Sequence, residues 1–160
     1  MELYLVQHGK ALAKEENPER PLSPEGEHDV EAVGALLARC GPLGIAEVWH
    51  SGRARAQQTA ERLAACIAPQ ATVVQHKGLA PKDAVKPVRK ALKGRQDGLM
   101  IVGHMPFMAN LACALLKTDD ERCPVAFQMG GVVCLRRDEI GAWAVAWMVT
   151  PEVARGGGDS

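Results

Sequence analysis

Four short apolar runs, each followed by a stretch with helical periodicity, constrain this chain more than any other feature. Leu3 to Val6, Ala46 to His50, Thr72 to Gln75 and Leu99 to Val102 read as strands. Between and after them lie four amphipathic stretches. The first opens at Pro24-Glu25, repeats Val30, Val33 and Leu37, and stops at Gly41-Pro42. The second carries Ala60, Leu63, Ala64 and Ile67 on one face, and the third is short, with Val85, Val88 and Leu92. The fourth starts near Pro106, placed in a first turn, and shows Leu111, Ala112, Leu115 and Leu116. Gly131 to Leu135 and Ala142 to Met148 then read as a closing hairpin, turned at Asp138 to Gly141. Strand and helix in alternation predict an α/β fold: a three-layer sandwich with a mostly parallel central sheet and helices on both faces. The 160 residues fit one domain, expected over residues 1–154, and the Gly-rich Arg155 to Ser160 reads as a disordered tail.

Charge narrows the partners. Nineteen Lys and Arg balance nineteen Asp and Glu, which gives no electrostatic case for nucleic acid or an anionic membrane as the main partner. No apolar run approaches the ~18 residues of a membrane span, and the opening Met1 to Val6 lacks the basic segment of a secretion signal. Cys40, Cys66, Cys113, Cys123 and Cys134 are odd in number, contain no CxxC pair, and mostly sit in apolar stretches. They read as reduced core residues of a cytoplasmic protein.

In open α/β sheets, ligands bind beyond the carboxyl ends of the strands. The first strand ends in Gln7-His8-Gly9, the second runs into Ser51-Gly52-Arg53-Ala54-Arg55, and the fourth ends in Gly103-His104. A parallel sheet gathers these ends, and two imidazoles beside guanidinium suit an anion. Phosphate is the natural guess, because Arg matches its oxygens bidentately. A neutral imidazole with one nitrogen held as a donor can attack phosphorus through the other. Arg55 would gather the equatorial oxygens, and a protonated His104 would meet charge as it develops.

These segments resemble the histidine phosphatase superfamily. Gln7-His8-Gly9 is similar to its Arg-His-Gly motif. Ser51 to Thr59 resembles its Ser-Pro-x-x-Arg-Ala-x-Gln-Thr segment, which puts the catalytic Arg on Arg55. Val102-Gly103-His104-Met105-Pro106 resembles the segment with the second His, and Arg20-Pro21-Leu22-Ser23-Pro24-Glu25-Gly26 looks like a stretch of the compact SixA-type branch. The resemblance runs to about residue 150 and implies the phosphoglycerate mutase-like fold. It also implies a metal-independent phosphatase without cofactor, acting on phosphohistidine in a signalling or phosphotransfer protein through a phosphorylated His8.

Two departures stand out. Gln7 replaces the motif Arg, and Gly52 replaces Pro, which reads as the milder change. Gln7, Arg20 and Lys10 are the candidate phosphate-binding residues around catalytic His8, Arg55 and His104, and Lys10 is placed to restore the charge missing at Gln7. Arg53 reads as a rim residue, and Arg20 could equally tie its own loop to the domain. Asp83 is the nearest candidate for a general acid; a phosphoramidate bond needs less acid help than an alkyl ester. His28, His50 and His76 lack metal-ligand spacing, and Trp143 and Trp147 read as sheet packing. Gln7 keeps open a module that binds phosphate or phosphohistidine without turnover. A small-molecule phosphomonoesterase is the third reading.

Overall fold

In the computed structural model of the chain, which describes residues 1–118 and 122–156, the sheet is organised around its first strand. That strand, β1 (Glu2–Gln7), buries Leu3, Tyr4, Leu5 and Val6 completely, as expected of a strand covered on both faces. Next come α1 (Pro24–Arg39), β2 (Ile45–His50), α2 (Ala54–Ile67), β3 (Thr72–Gln75), α3 (Lys86–Lys93), β4 (Gly98–Gly103) and α4 (Phe107–Leu116). β5 (Val132–Arg137), β6 (Trp143–Val149) and the short α5 (Pro151–Ala154) complete the chain. The six strands lie in the order β3-β2-β4-β1-β5-β6. The first four are mutually parallel, and β5 and β6 are antiparallel. This is the α/β sandwich expected from the alternation.

Alternate residues of each strand feed two cores. Tyr4, Val6, Val48, Met100 and Val102 pack against Val30, Val33, Leu37, Ala60 and Leu63 of α1 and α2. Leu3, Leu5, Leu99 and Ile101 pack against Val88 and Leu92 of α3 and Phe107, Met108 and Leu111 of α4. α1 starts as its sequence dictates: Ser23 Oγ accepts from Gly26 N at 3.0 Å, Pro24 takes the first helical position, and Glu25 and Glu27 meet the helix dipole. Arg62 of α2 then bridges to Glu27 at 2.9 Å and Glu31 at 3.1 Å on α1.

Several sequence expectations need correction. Arg155 does not belong to a loose tail: its Nη1 pairs with the buried Asp29 carboxylate at 2.6 Å. Residues 157–160 lie outside the described residues. α5 was not expected, although Thr150 accepts from Val153 N and Pro151 follows it. Pro106 stands at the N-cap of α4, one step before the position expected. Only Cys113 and Cys134 are buried; Cys40, at the C-cap of α1, and Cys66, on the flank of α2 beside Gly34 of α1, are exposed. Trp147 and Trp143 pack at the edges of the two cores as expected. No helix among the described residues is long and apolar enough to cross a membrane.

Candidate active site

His8 is the first residue past β1, and its N–H continues the ladder by donating to Gly103 O at 3.0 Å. The half-buried ring turns back on its own chain, with Nδ1 2.7 Å from Gly9 O. A carbonyl only accepts, so Nδ1 carries the hydrogen and Nε2 keeps a free lone pair. Gly9 is fixed in turn by donating to Thr59 Oγ1 at 3.0 Å, and the Thr59 hydroxyl donates to Arg55 O at 2.7 Å. The loop that follows His8 is thereby bonded to the helix that carries Arg55.

His104 follows β4 directly, and its ring centroid is 5.0 Å from that of His8. It is 2 % exposed. Its Nε2 lies 2.6 Å from Ser51 Oγ, and its Nδ1 is buried without a partner. Arg55, in the first turn of α2, is also buried, and its Nε has no partner. No carboxylate pairs with Arg20, Arg53 or Arg55 among the described residues. Orphaned donors in a buried, cationic place are costly unless an acceptor arrives from outside. The electrostatics agree. Burial first, then the charges of Arg55, Arg20 and Arg53, hold the His8 imidazole below its ordinary value; the bond to Gly9 only partly opposes them. Burial, His8 and the Arg55 and Arg53 charges push His104 down to about 3. Burial and the two neighbouring guanidiniums also lower Arg55. Without an anion, both imidazoles are neutral near neutral pH.

The structure thus brings His8, Arg55 and His104 together and adds three residues that the sequence reading gave no role. Arg53 is the N-cap of α2 and acts electrostatically on both imidazoles. Ser51 holds His104, and Thr59 couples Gly9 to Arg55. Their one sequence signal was membership of the Ser51 to Thr59 segment. Gly52 is more than a mild replacement: its φ of +88° is closed to proline, and the space for a side chain is taken by Gln75.

Arg20 ties its own loop to the domain and also acts electrostatically on the site. Its Nε donates to Leu12 O at 3.2 Å, tying the loop, while its charge reaches His8 and Arg55. It sits at φ +48°, a left-handed conformation costing about 1–2 kcal/mol. The loop is held by Leu12 N to Pro21 O at 2.8 Å and Leu22 N to Gln58 Oε1 at 2.7 Å. Gln7 and Lys10 face a neighbouring cavity of about 820 Å³, which Asp29, Gln128 and Arg155 also line. Lys10 Nζ is engaged by Glu25 at 2.5 Å, so it does not stand free to replace the charge missing at Gln7. Asp83 accepts from Ala80 N at 2.8 Å and lines a different cavity beside α4. Its carboxylate belongs to that turn. His28 is exposed, His50 accepts from Gly52 N at 3.1 Å, and His76 stacks on Trp49 at 3.9 Å. No group of three or more His, Cys, Asp or Glu among the described residues could hold a metal ion.

Comparison with known proteins places this geometry. The model of the histidine phosphatase superfamily (branch 1) matches residues 3–83, which include His8, Arg20 and Arg55. The chain belongs to this superfamily. The structure of the protein histidine phosphatase SixA complexed with tungstate is similar at TM-score 0.80 and 22 % identity, over 94 % of this chain and 97 % of that one. A phosphoglycerate mutase from Plasmodium falciparum matches at TM-score 0.66 and 18 % identity, over 91 % of this chain and 88 % of the other. A phosphoserine phosphatase from Entamoeba histolytica, in complex with 3-phosphoglyceric acid, matches at TM-score 0.69 and 12 % identity, over 93 % and 96 %. At these identities the likeness establishes the superfamily's fold and leaves the substrate to the chemistry of the site. A search of curated protein sequences finds no significant match.

Proposed function

We propose that this chain is a phosphohistidine phosphatase that works through a covalent phosphate on His8. The observation that carries the reading is the Nδ1 bond of His8 to Gly9 O. It leaves Nε2 with a neutral lone pair on a ring 5.0 Å from that of His104 and within reach of the Arg55 charge, and both neighbours have a buried, unpartnered nitrogen. Nε2 attacks phosphorus, forming a new N–P bond as the N–P bond to the substrate imidazole breaks. Arg55 and His104 supply the donors for the equatorial oxygens. A substrate imidazole whose other nitrogen bears a proton leaves as a neutral ring, so the step asks for no general acid. Water then attacks phosphorus on His8, releasing phosphate and restoring the imidazole.

The charges acting most on His8 and His104 are cationic, and the Asp83 carboxylate is committed elsewhere. An alkyl ester, whose oxygen must be protonated as it leaves, suits such a site less than a phosphoramidate. The SixA structure complexed with tungstate, an oxyanion shaped like phosphate, supports an anion in the equivalent fold. Incubation with a phosphohistidine protein or phosphoramidate should label His8 with an acid-labile, base-stable phosphate, and release of phosphate should persist in excess chelator. Undiminished labelling of His8→Ala overturns the mechanism. Faster hydrolysis of an aryl phosphate than of phosphohistidine overturns the substrate class. Tight phosphate binding with no turnover of either would favour the module that binds without catalysis, the reading that Gln7 supports.

A further inference from the structure

Positive charge is concentrated on one helix away from the catalytic groups. α3 contains Lys86, Arg89, Lys90 and Lys93 and no acid. At about 100° per residue these positions form a single stripe, opposite Val88 and Leu92, which are 1 % exposed in the core. All four cations are exposed, and none forms an ion pair among the described residues. The chain as a whole is neutral, so outside this helix it is net negative.

Part of the arrangement works against the helix itself. Like charges three and four residues apart repel. Lys86 in the first turn opposes the dipole, and the N-cap Val85 offers no side-chain acceptor. α1, by contrast, opens on Glu25 and Glu27. At the far end Lys90 and Lys93 suit the dipole, but the Arg137 guanidinium already donates to Leu92 O there at 2.7 Å. Cations left unanswered on one face, at a local cost, suit an external acidic surface.

Topology connects the stripe to the site. β3 ends at Gln75 on the edge where β1 ends at Gln7, and α3 crosses back toward the start of β4 at Gly98. The connecting loop buries Leu79 against the core, and Leu79 O lies 3.8 Å from where a Cβ on Gly103 would stand, one residue before His104. The stripe therefore starts from the site end of the sheet and runs for about 10 Å. We infer that it docks an acidic surface on the phosphorylated protein whose phosphohistidine enters the site, an inference that rests on the phosphohistidine reading. A bilayer fits poorly, since the apolar face of α3 is consumed in the core. A nucleic acid fits poorly as well, since its charge would continue past four cations onto a net-negative remainder.

The test compares the native chain with Lys86→Gln/Arg89→Gln/Lys90→Gln/Lys93→Gln. Substrates are two synthetic phosphohistidine peptides, one flanked by glutamates and one by glutamines, and phosphoramidate. At low salt the glutamate peptide should have a kcat/KM about 10-fold higher through KM, and this advantage should vanish in the variant and at ~0.5 M salt. Phosphoramidate hydrolysis should be the same in both proteins, and the variant's Tm should be equal or higher, since repulsion is relieved. Fluorescence anisotropy with labelled polyglutamate measures the stripe independently of turnover. If nothing is hydrolysed, the phosphatase reading fails, yet weaker polyglutamate binding by the variant still upholds the stripe. Equal binding by both proteins, no preference for the glutamate peptide in an active enzyme, or tighter binding to duplex DNA or phosphatidylserine vesicles overturns it.

Discussion

The two flanks of His8 treat positive charge in opposite ways. On the side of α2, Arg53, Arg55 and Arg20 stand without a carboxylate among the described residues, and the His104 Nδ1 and Arg55 Nε atoms are buried and unpartnered. On the side of Gln7, each cation bordering the cavity is answered within the chain: Lys10 by Glu25 at 2.5 Å and Arg155 by Asp29 at 2.6 Å. An incoming dianion therefore finds unused charge only toward the start of α2. With Gln7 in the motif position, the fixed positive charge around His8 is gathered on one side.

Removing charge from the open flank should hurt most. Arg55→Ala should lower kcat/KM by on the order of 10²–10³ while the fold survives, because a preorganised donor to the phosphate is lost; steady-state kinetics on a phosphohistidine peptide checks this, and a loss below about 5-fold would place the anion elsewhere. Restoring charge to the other flank comes next. Gln7→Arg should raise turnover about 10-fold, since a charged donor is worth ~1.5–3 kcal/mol against ~0.5–1.5 for a neutral one. An unchanged rate would mean that the α2 flank already saturates the phosphate.

A smaller effect concerns protons. A positive charge placed on His8 would be out of water and among three guanidiniums, so the imidazole stays neutral below its ordinary value of about 6.5. The acid limb of kcat/KM for the free enzyme should therefore fall below that pH. Arg53→Gln removes one repelling charge and should move the limb upward by part of a unit, readable in the rate profile or by NMR of the imidazoles. The same sign governs stability. The unfolded chain accepts protons at the ordinary value and the native site resists them, so the contribution of His8 and His104 is whole above about pH 6.5 and shrinks on acidification. The smallest change belongs to Lys10→Ala. Its exposed pair with Glu25 is screened by solvent and contributes little, and turnover should stay within about 2-fold of native; a large loss would show that Lys10 leaves Glu25 for the phosphate.

The sheet and its helices were legible because burial on two faces leaves unbroken apolar runs such as Leu3 to Val6, while burial on one face leaves the Val30, Val33, Leu37 spacing. His8, Arg55 and His104 were legible as a group because strand ends converge in a parallel sheet. Other features have no local signature. The Arg155 pair with Asp29 joins residues 126 apart, so the end of the chain looked merely Gly-rich. That Lys10 is occupied depends on where Glu25 falls once α1 packs, which the three-residue spacing from Gln7 does not reveal. Gly52 looked like a tolerable stand-in for proline until its positive φ showed a different backbone. The exposure of Cys40 follows from its place at the end of α1, a detail that composition cannot supply.

Thr59 deserves a mechanical reading. It is fully buried, and its single oxygen takes the Gly9 N–H while giving its own hydrogen to Arg55 O. One atom thus acts as a pin between the segment bearing His8 and the segment bearing Arg55. With both segments anchored to one buried oxygen, a displacement of the first turn of α2 is expected to carry the His8 segment with it. Under the proposed mechanism, Thr59→Val would remove that anchor at nearly constant volume and should loosen the spacing of His8 and Arg55 while leaving Gln7, Arg20 and Arg53 in place.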